Sequence, residues 1–176
     1  MEVTIEITKF CPYNCNYCST NAGPDGKHLS YEVIKEFLRK QKHIKKINIS
    51  GGEPLAHPDF YKILMLCYSV TSNVRIYTNV VKQILFNSDI VKEVGVEANV
   101  CIIPGRKIYI PKNVNKVHLL KLVHNGRAKN LPKQEITVSH NFEDDCSHSC
   151  EDCKNILLQA DGKIVESPCK KDYGED

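Results

Sequence analysis

The stretch Val3-Thr-Ile-Glu-Ile-Thr-Lys-Phe-Cys11-Pro-Tyr-Asn-Cys15-Asn-Tyr-Cys18 decides how this chain is read. Val3, Ile5 and Ile7 alternate with Glu2, Thr4 and Glu6, which predicts a strand with one apolar face from Val3 to Thr8. The strand runs into a loop with three cysteines spaced C-x3-C-x2-C. A [4Fe-4S] cube takes four ligands and this loop offers three, so one iron stays open to a substrate or cofactor. A zinc or purely structural cluster loop is the alternative reading.

Strands and helices alternate outward from that loop. Asn21 to Lys27, rich in Gly and Pro, reads as a connector. Ser30 is a candidate N-cap for an amphipathic helix over Tyr31 to Lys42, with Val33, Ile34, Phe37 and Leu38 as its apolar face. Lys46 to Ser50 is a short strand that ends in Gly51-Gly52-Glu53-Pro54. Pro58 to Ser69 is helical, with Ile63, Leu64 and Leu66 inward. Val74 to Asn79 is a third strand. Val80 to Phe86 and Asp89 to Glu93 read as short helical pieces. Val96 to Ile103, Lys116 to His124 and Ile136 to Phe142 complete six strands. Such alternation implies a parallel sheet with crossover helices. The expected class is α/β, a partial, open (β/α)6-type parallel barrel over 1–142, followed by a small cysteine-rich β-hairpin appendage over 143–176. Ligands of such sheets sit at the carboxyl ends of the strands, where the cysteine loop, Gly51–Pro54 and Thr78-Asn79 all fall.

The 176 residues include nine cysteines, seven of them in two groups at ligand spacing. Metal ligation in a reducing, cytoplasmic setting is favoured over disulfides. No secretory signal or membrane-spanning run is visible. Cys67 and Cys101 read as small buried hydrophobes. The net charge of +3 is uneven: Ala98 to Gln134 holds eight basic and no acidic residues, and Glu135 to Asp152 reverses the sign. Two solvated faces explain this; a rim that steers an anionic or phosphorylated substrate is the sharper reading.

The order CPYNCNYC, then SGGEP, then a strand ending YTN, over residues 3 to 103, resembles the radical S-adenosylmethionine (radical SAM) enzymes. The resemblance implies that Cys11, Cys15 and Cys18 ligate a [4Fe-4S] cluster whose open iron binds S-adenosylmethionine. Reductive cleavage then gives methionine and a 5′-deoxyadenosyl radical that abstracts hydrogen. It further implies that Gly51 and Gly52 let backbone approach the methionine ammonium. Glu53 would support that loop, Pro54 fix its exit, and the Tyr17 backbone meet the adenine. Thr78, Asn79 and Glu97 are candidate contacts to the cofactor. Arg127, in the Gly126-Arg127 pair, is a candidate for the cofactor carboxylate or a substrate anion. An electron donor such as ferredoxin or flavodoxin is implied too.

A second group follows the pattern Cys146-x3-Cys150-x2-Cys153-x15-Cys169, with Ala160-Asp161-Gly162-Lys163 between the last two as a hairpin turn. It resembles the Twitch/SPASM auxiliary-cluster motif, as in a shortened molybdenum cofactor biosynthesis protein A-like enzyme. That implies a second [4Fe-4S] cluster; a four-cysteine zinc site is the alternative. His140 and His148 read as surface residues. The chain lacks that family's terminal Gly-Gly, so a different substrate is expected: a peptide, a protein, an RNA or a nucleotide-derived molecule. An activase for a glycyl radical enzyme, and a non-catalytic iron–sulfur carrier or zinc-stabilised binding module, are the competing functions.

Overall fold

The computed structural model describes residues 1–79, 97–101, 116–120, 126–132 and 155–166, with 97–101 and 116–120 as paired backbone. These residues fall into two compact units: 1–15, 20–79 and 155–166 in one, 16–19 and the described residues from 97 to 132 in the other. In chain order the elements are β1 (Glu2–Glu6), α1 (Tyr31–Lys40), β2 (Lys46–Ser50), a 3-10 turn (Pro54–Ala56), α2 (Phe60–Val70), β3 (Val74–Ile76), β4 (Glu97–Cys101), β5 (Lys116–Leu120), a second 3-10 turn (Gly126–Asn130), β6 (Ile156–Leu158) and β7 (Ile164–Glu166). The expected strand Ile136–Phe142, the pieces Val80–Phe86 and Asp89–Glu93, His140 and His148 lie outside the described residues, as does the side chain of Cys101.

The architecture is α/β. The first unit is built on an open sheet in the order β3-β2-β1-β6-β7, parallel except for β7. Register makes the apolar face: Val3 lies opposite Ile47 and Ile156, and Ile5 opposite Ile49 and Leu158. That face packs against Ile34, Phe37 and Leu38 of α1 and Phe60, Ile63 and Cys67 of α2. Each fully buried isoleucine contributes about 2 kcal/mol. The alternate residues form a polar face, where Asn48 Nδ2 donates to Glu2 Oε1 at 2.6 Å and to Thr4 Oγ1 at 3.3 Å. The alternation visible in β1 therefore divides a helix-covered face from a polar one.

Ser30 caps α1 as expected, its Oγ accepting from the Val33 N–H at 3.4 Å. Val33 itself is not part of the buried face. It is 42% exposed, because the stripe facing the sheet is the narrow i, i+3, i+4 set of Ile34, Phe37 and Leu38. The helix also stops at Lys40, where the Gln41 N–H turns back to Leu38 O at 3.2 Å. Helix α2 starts at Phe60 rather than Pro58, since Pro54–Ala56 first makes a separate 3-10 turn. Within it Ile63 is fully buried, while Leu64 and Leu66 are half-buried. Cys67 is fully buried, and desolvation pushes its thiol up to about 12, so it behaves as a small hydrophobe. β3 spans only Val74–Ile76, and Tyr77 to Asn79 leave the strand toward the site.

The predicted hairpin is present. Its turn closes through Gln159 N–H to Lys163 O and Gly162 N–H to Gln159 O, both 2.8 Å, with Gly162 at φ 86°. The sequence does not announce where it docks. Strand β6 lies parallel to β1 and continues the core sheet, and Leu158 is 1% exposed within the core. In the second unit β4 pairs in parallel with β5, from Glu97 opposite Lys116 to Cys101 opposite Leu120. Among the described residues no helix is long and apolar enough to cross a membrane.

Candidate functional site

Beyond Glu6 the chain leaves regular strand geometry but keeps neighbours on both sides. On one side, Ile7 N–H donates to Ser50 O (3.0 Å), Gly52 N–H to Thr8 O (2.7 Å) and Glu53 N–H to Phe10 O (2.8 Å). On the other, Lys9 N–H donates to Lys27 O (2.8 Å), Cys11 N–H to Gly23 O (2.9 Å) and Leu29 N–H to Ile7 O (2.9 Å). The stretch expected to be a bare connector instead runs back along the cysteine strand. Cys11 is therefore fixed through backbone from both directions, and its side chain is 7% exposed.

The contact with the second motif is as close as backbone permits. A Cβ on Gly51 would lie 2.3 Å from Thr8 O, and φ there is +129°, a region closed to other residues. A Cβ on Gly52 would lie 2.2 Å from Phe10 O and 3.1 Å from the Cys11 Cβ. Glycine at both positions lets the loop after β2 press against the entry of the cysteine loop.

Glu53 locks that arrangement. Its carboxylate is buried, 2% exposed, and accepts three hydrogen bonds. Oε1 takes the Leu55 N–H at 3.1 Å and the Thr78 hydroxyl at 2.6 Å; Oε2 takes the Asn79 N–H at 3.0 Å. Pro54 begins the 3-10 turn, where its missing N–H costs nothing. The second and third strand ends thus meet through one carboxylate, and Thr78 spends its hydroxyl proton on Glu53. Replacing Glu53 with Gln turns an N–H2 toward at least one of these donors. A loss of about 2 kcal/mol is expected, read as a lower urea midpoint with unchanged slope.

Several polar residues here were not singled out from sequence. His57 is 4% exposed; its Nε2–H donates to Leu29 O at 2.8 Å and its Nδ1 accepts the Asp59 N–H at 3.0 Å. His28 stands edge-on to it at 4.9 Å between ring centroids, with Nδ1 2.9 Å from Thr8 Oγ1. Partial burial and the neighbouring His57 hold the His28 ring below its usual range. Lys9 Nζ donates to Thr20 O at 3.0 Å and lies 3.4 Å from Glu6 Oε2, which also accepts the Ala160 N–H at 3.4 Å. The exit of the cysteine loop is thereby tied to the hairpin turn. The Glu6/Lys9 spacing is visible in the sequence; His57 carries no periodic signal.

Cys15, Cys18 and Tyr17 are half-buried, and Cys11 is buried. Cys18 and Tyr17 belong to the second unit, where the Arg127 N–H donates to Cys18 O at 2.9 Å. Glu97 is the first residue of β4, at the amino end of that strand. Its side chain, and Cys146, Cys150, Cys153 and Cys169, lie outside the described residues. Among the described residues no three Cys, His, Asp or Glu side chains are grouped around one metal ion. A cube asks for something else, one thiolate on each of several irons. Three cysteines at C-x3-C-x2-C spacing, with a side-chain-free cradle beside Cys11, are a donor set whose chemistry fits such a group.

Comparison with known proteins bears on the same segment. The sequence model of the Radical SAM superfamily matches residues 5–105, more than half of the chain. The PqqA peptide cyclase of Bradyrhizobium diazoefficiens is 34% identical over 85 residues, which cover 46% of this chain and 21% of that protein. The GTP 3',8-cyclase of Psychromonas ingrahamii is 38% identical over 71 residues, 34% of this chain and 19% of that one. An S-adenosylmethionine-dependent nucleotide dehydratase of Selenomonas ruminantium is 30% identical over 80 residues, 44% and 29%. The matched segments span 19% to 29% of the length of these curated relatives. The family match starts inside β1 and runs through the cysteine loop and the glycine cradle to beyond Asn79, so this chain belongs to the radical SAM superfamily, whose members work with a [4Fe-4S] cluster and S-adenosylmethionine.

Proposed function

We propose that this chain is a radical SAM enzyme that cleaves S-adenosylmethionine reductively. The observation that carries the reading is the pressing of the Gly51–Glu53 backbone against Thr8–Cys11, with Gly52 N–H on Thr8 O and Glu53 N–H on Phe10 O. A carrier protein would need no such loop beside its cysteines. With Cys11, Cys15 and Cys18 as ligands, a bound cluster would supply the electron that splits the cofactor into methionine and a 5′-deoxyadenosyl radical.

The chain's own residues divide the remaining work. The glycine pair leaves the loop open to the methionine ammonium, and Glu53 keeps it rigid. The Asn79 side chain is assigned to the ribose or carboxylate, and the Tyr17 backbone to the adenine. Thr78 acts mainly through Glu53. Glu97 and Arg127 remain assigned to the cofactor or a substrate anion. Cys146, Cys150, Cys153 and Cys169 are assigned to a second [4Fe-4S] cluster, and a small redox protein such as ferredoxin or flavodoxin to electron delivery in the cytoplasm. The substrate is a peptide, protein, RNA or nucleotide-derived molecule, a range consistent with relatives named as a peptide cyclase, GTP cyclases and a nucleotide dehydratase.

Anaerobic reconstitution tests this directly. The protein should take up about eight irons if both cysteine groups hold cubes. With dithionite and S-adenosylmethionine it should release 5′-deoxyadenosine, followed by chromatography. Full cluster content without nucleoside release would overturn the enzymatic reading, and uptake of zinc or of about four irons would remove the second cluster.

A further inference from the structure

The third cysteine is held from the far half of the chain. Gly126 has φ +54°, and a Cβ there would lie 2.5 Å from Ser19 O and 2.7 Å from Cys18 O. Its successor anchors the same carbonyl, the Arg127 N–H reaching Cys18 O at 2.9 Å. Both contacts are made by backbone, within the second unit. The turn Gly126–Asn130 is fixed in turn by Ala128, which is fully buried, and by the Leu131 N–H to Ala128 O at 3.0 Å. The Cys18 and Ser19 carbonyls thus occupy the space that a side chain at position 126 would need.

We infer that Gly126 is a positioning residue for the iron site: by carrying no side chain, it sets the backbone of Cys18 and hence the direction of the third thiolate. The inference rests on the reading of Cys18 as an iron ligand. It also separates the two members of the Gly-Arg pair. Gly126 acts by what it lacks, and Arg127 acts on Cys18 through its N–H, which any residue but proline supplies.

A methyl group at Gly126 meets backbone, not a flexible side-chain end, so Cys18 and Ser19 must move. Outer partners that orient a metal ligand typically matter by one to two orders of magnitude in metal affinity. Gly126→Ala should therefore weaken cluster retention under chelator challenge about tenfold. It should also alter the electron paramagnetic resonance signal of the reduced cluster and its change on adding S-adenosylmethionine. Gly162→Ala is the matched control: φ there is +86°, but nothing lies within 4 Å of the added carbon. It should keep both signals. Gly126→Asn guards against simple misfolding, because Asn tolerates positive φ while still bringing a Cβ; it should fold, by circular dichroism, and show the same cluster defect. A Gly126→Asn protein with wild-type iron content and spectrum overturns the inference. A wild-type protein that takes up no cluster overturns the reading beneath it, and the inference with it.

Discussion

Cys15→Ala should reduce 5′-deoxyadenosine release to background while leaving the fold in place. Cys15 sits half-buried on the loop and contributes nothing to the hydrophobic core, which is made by β1, β2, β6 and the two helices. Substitutions of that kind usually stay within about 0.5 kcal/mol, a shift of roughly 2 °C in a protein of this size. Loss of one of three thiolates is a different matter for the cluster. Two ligands from the loop leave two iron corners without protein, and the cube is not retained. The pairing of results is what counts: iron content and nucleoside release should collapse while the thermal midpoint barely moves. Retained release would refute the ligand assignment.

Gly52→Ala should remove both the site and much of the stability. The added carbon falls 2.2 Å from Phe10 O and 3.1 Å from the Cys11 Cβ, so the severe clash is with the Phe10 carbonyl, which is backbone and cannot swing aside. Relief requires the loop after β2 to lift off Thr8–Cys11, which breaks the Gly52–Thr8 and Glu53–Phe10 bonds together. Overpacking of this severity costs about 3 kcal/mol, equivalent to roughly a 10 °C lower thermal midpoint. Iron uptake should fall with it, since Cys11 is displaced. A Gly52→Ala protein with a normal midpoint and normal iron would mean that the two loops are not packed as described.

What the sequence reveals here is what local chemistry controls. Ser30 is legible as a cap because its partner is three residues away. Asp161-Gly162 is legible as a turn because a positive φ selects glycine. KINIS is legible as a strand because its two β-branched isoleucines alternate with polar residues and glycines stop it. The hidden parts depend on groups that carry no residue signal. The return of 23–29 along 7–11 is made largely by backbone hydrogen bonds, and its requirement for glycine at 26, where a Cβ would lie 2.0 Å from the Lys9 carbonyl, shows only once the two segments are side by side. The docking of β6 on β1 rests on three residues, Ile156-Leu157-Leu158, too few to specify a partner. Val33 was legible as apolar but not as the edge of a narrow stripe. In the site, Glu53 is legible from its motif, yet its union with Thr78 and Asn79 depends on two strand ends meeting. His57 emerged only from its two satisfied ring nitrogens.

The pairing of β6 with β1 has a consequence for how the protein is made. Val3 meets Ile156, so the central strand acquires its second neighbour only after residue 156 has been made. Until then β1 presents one open edge to the ribosome's surroundings, and such edges invite pairing with foreign strands. Contacts so distant in sequence also form slowly, since a long loop must close first. Synthesis of this chain therefore passes through a window in which the strand that leads into the cysteine loop is formed but unsealed, and molecular chaperones would be expected to act within that window.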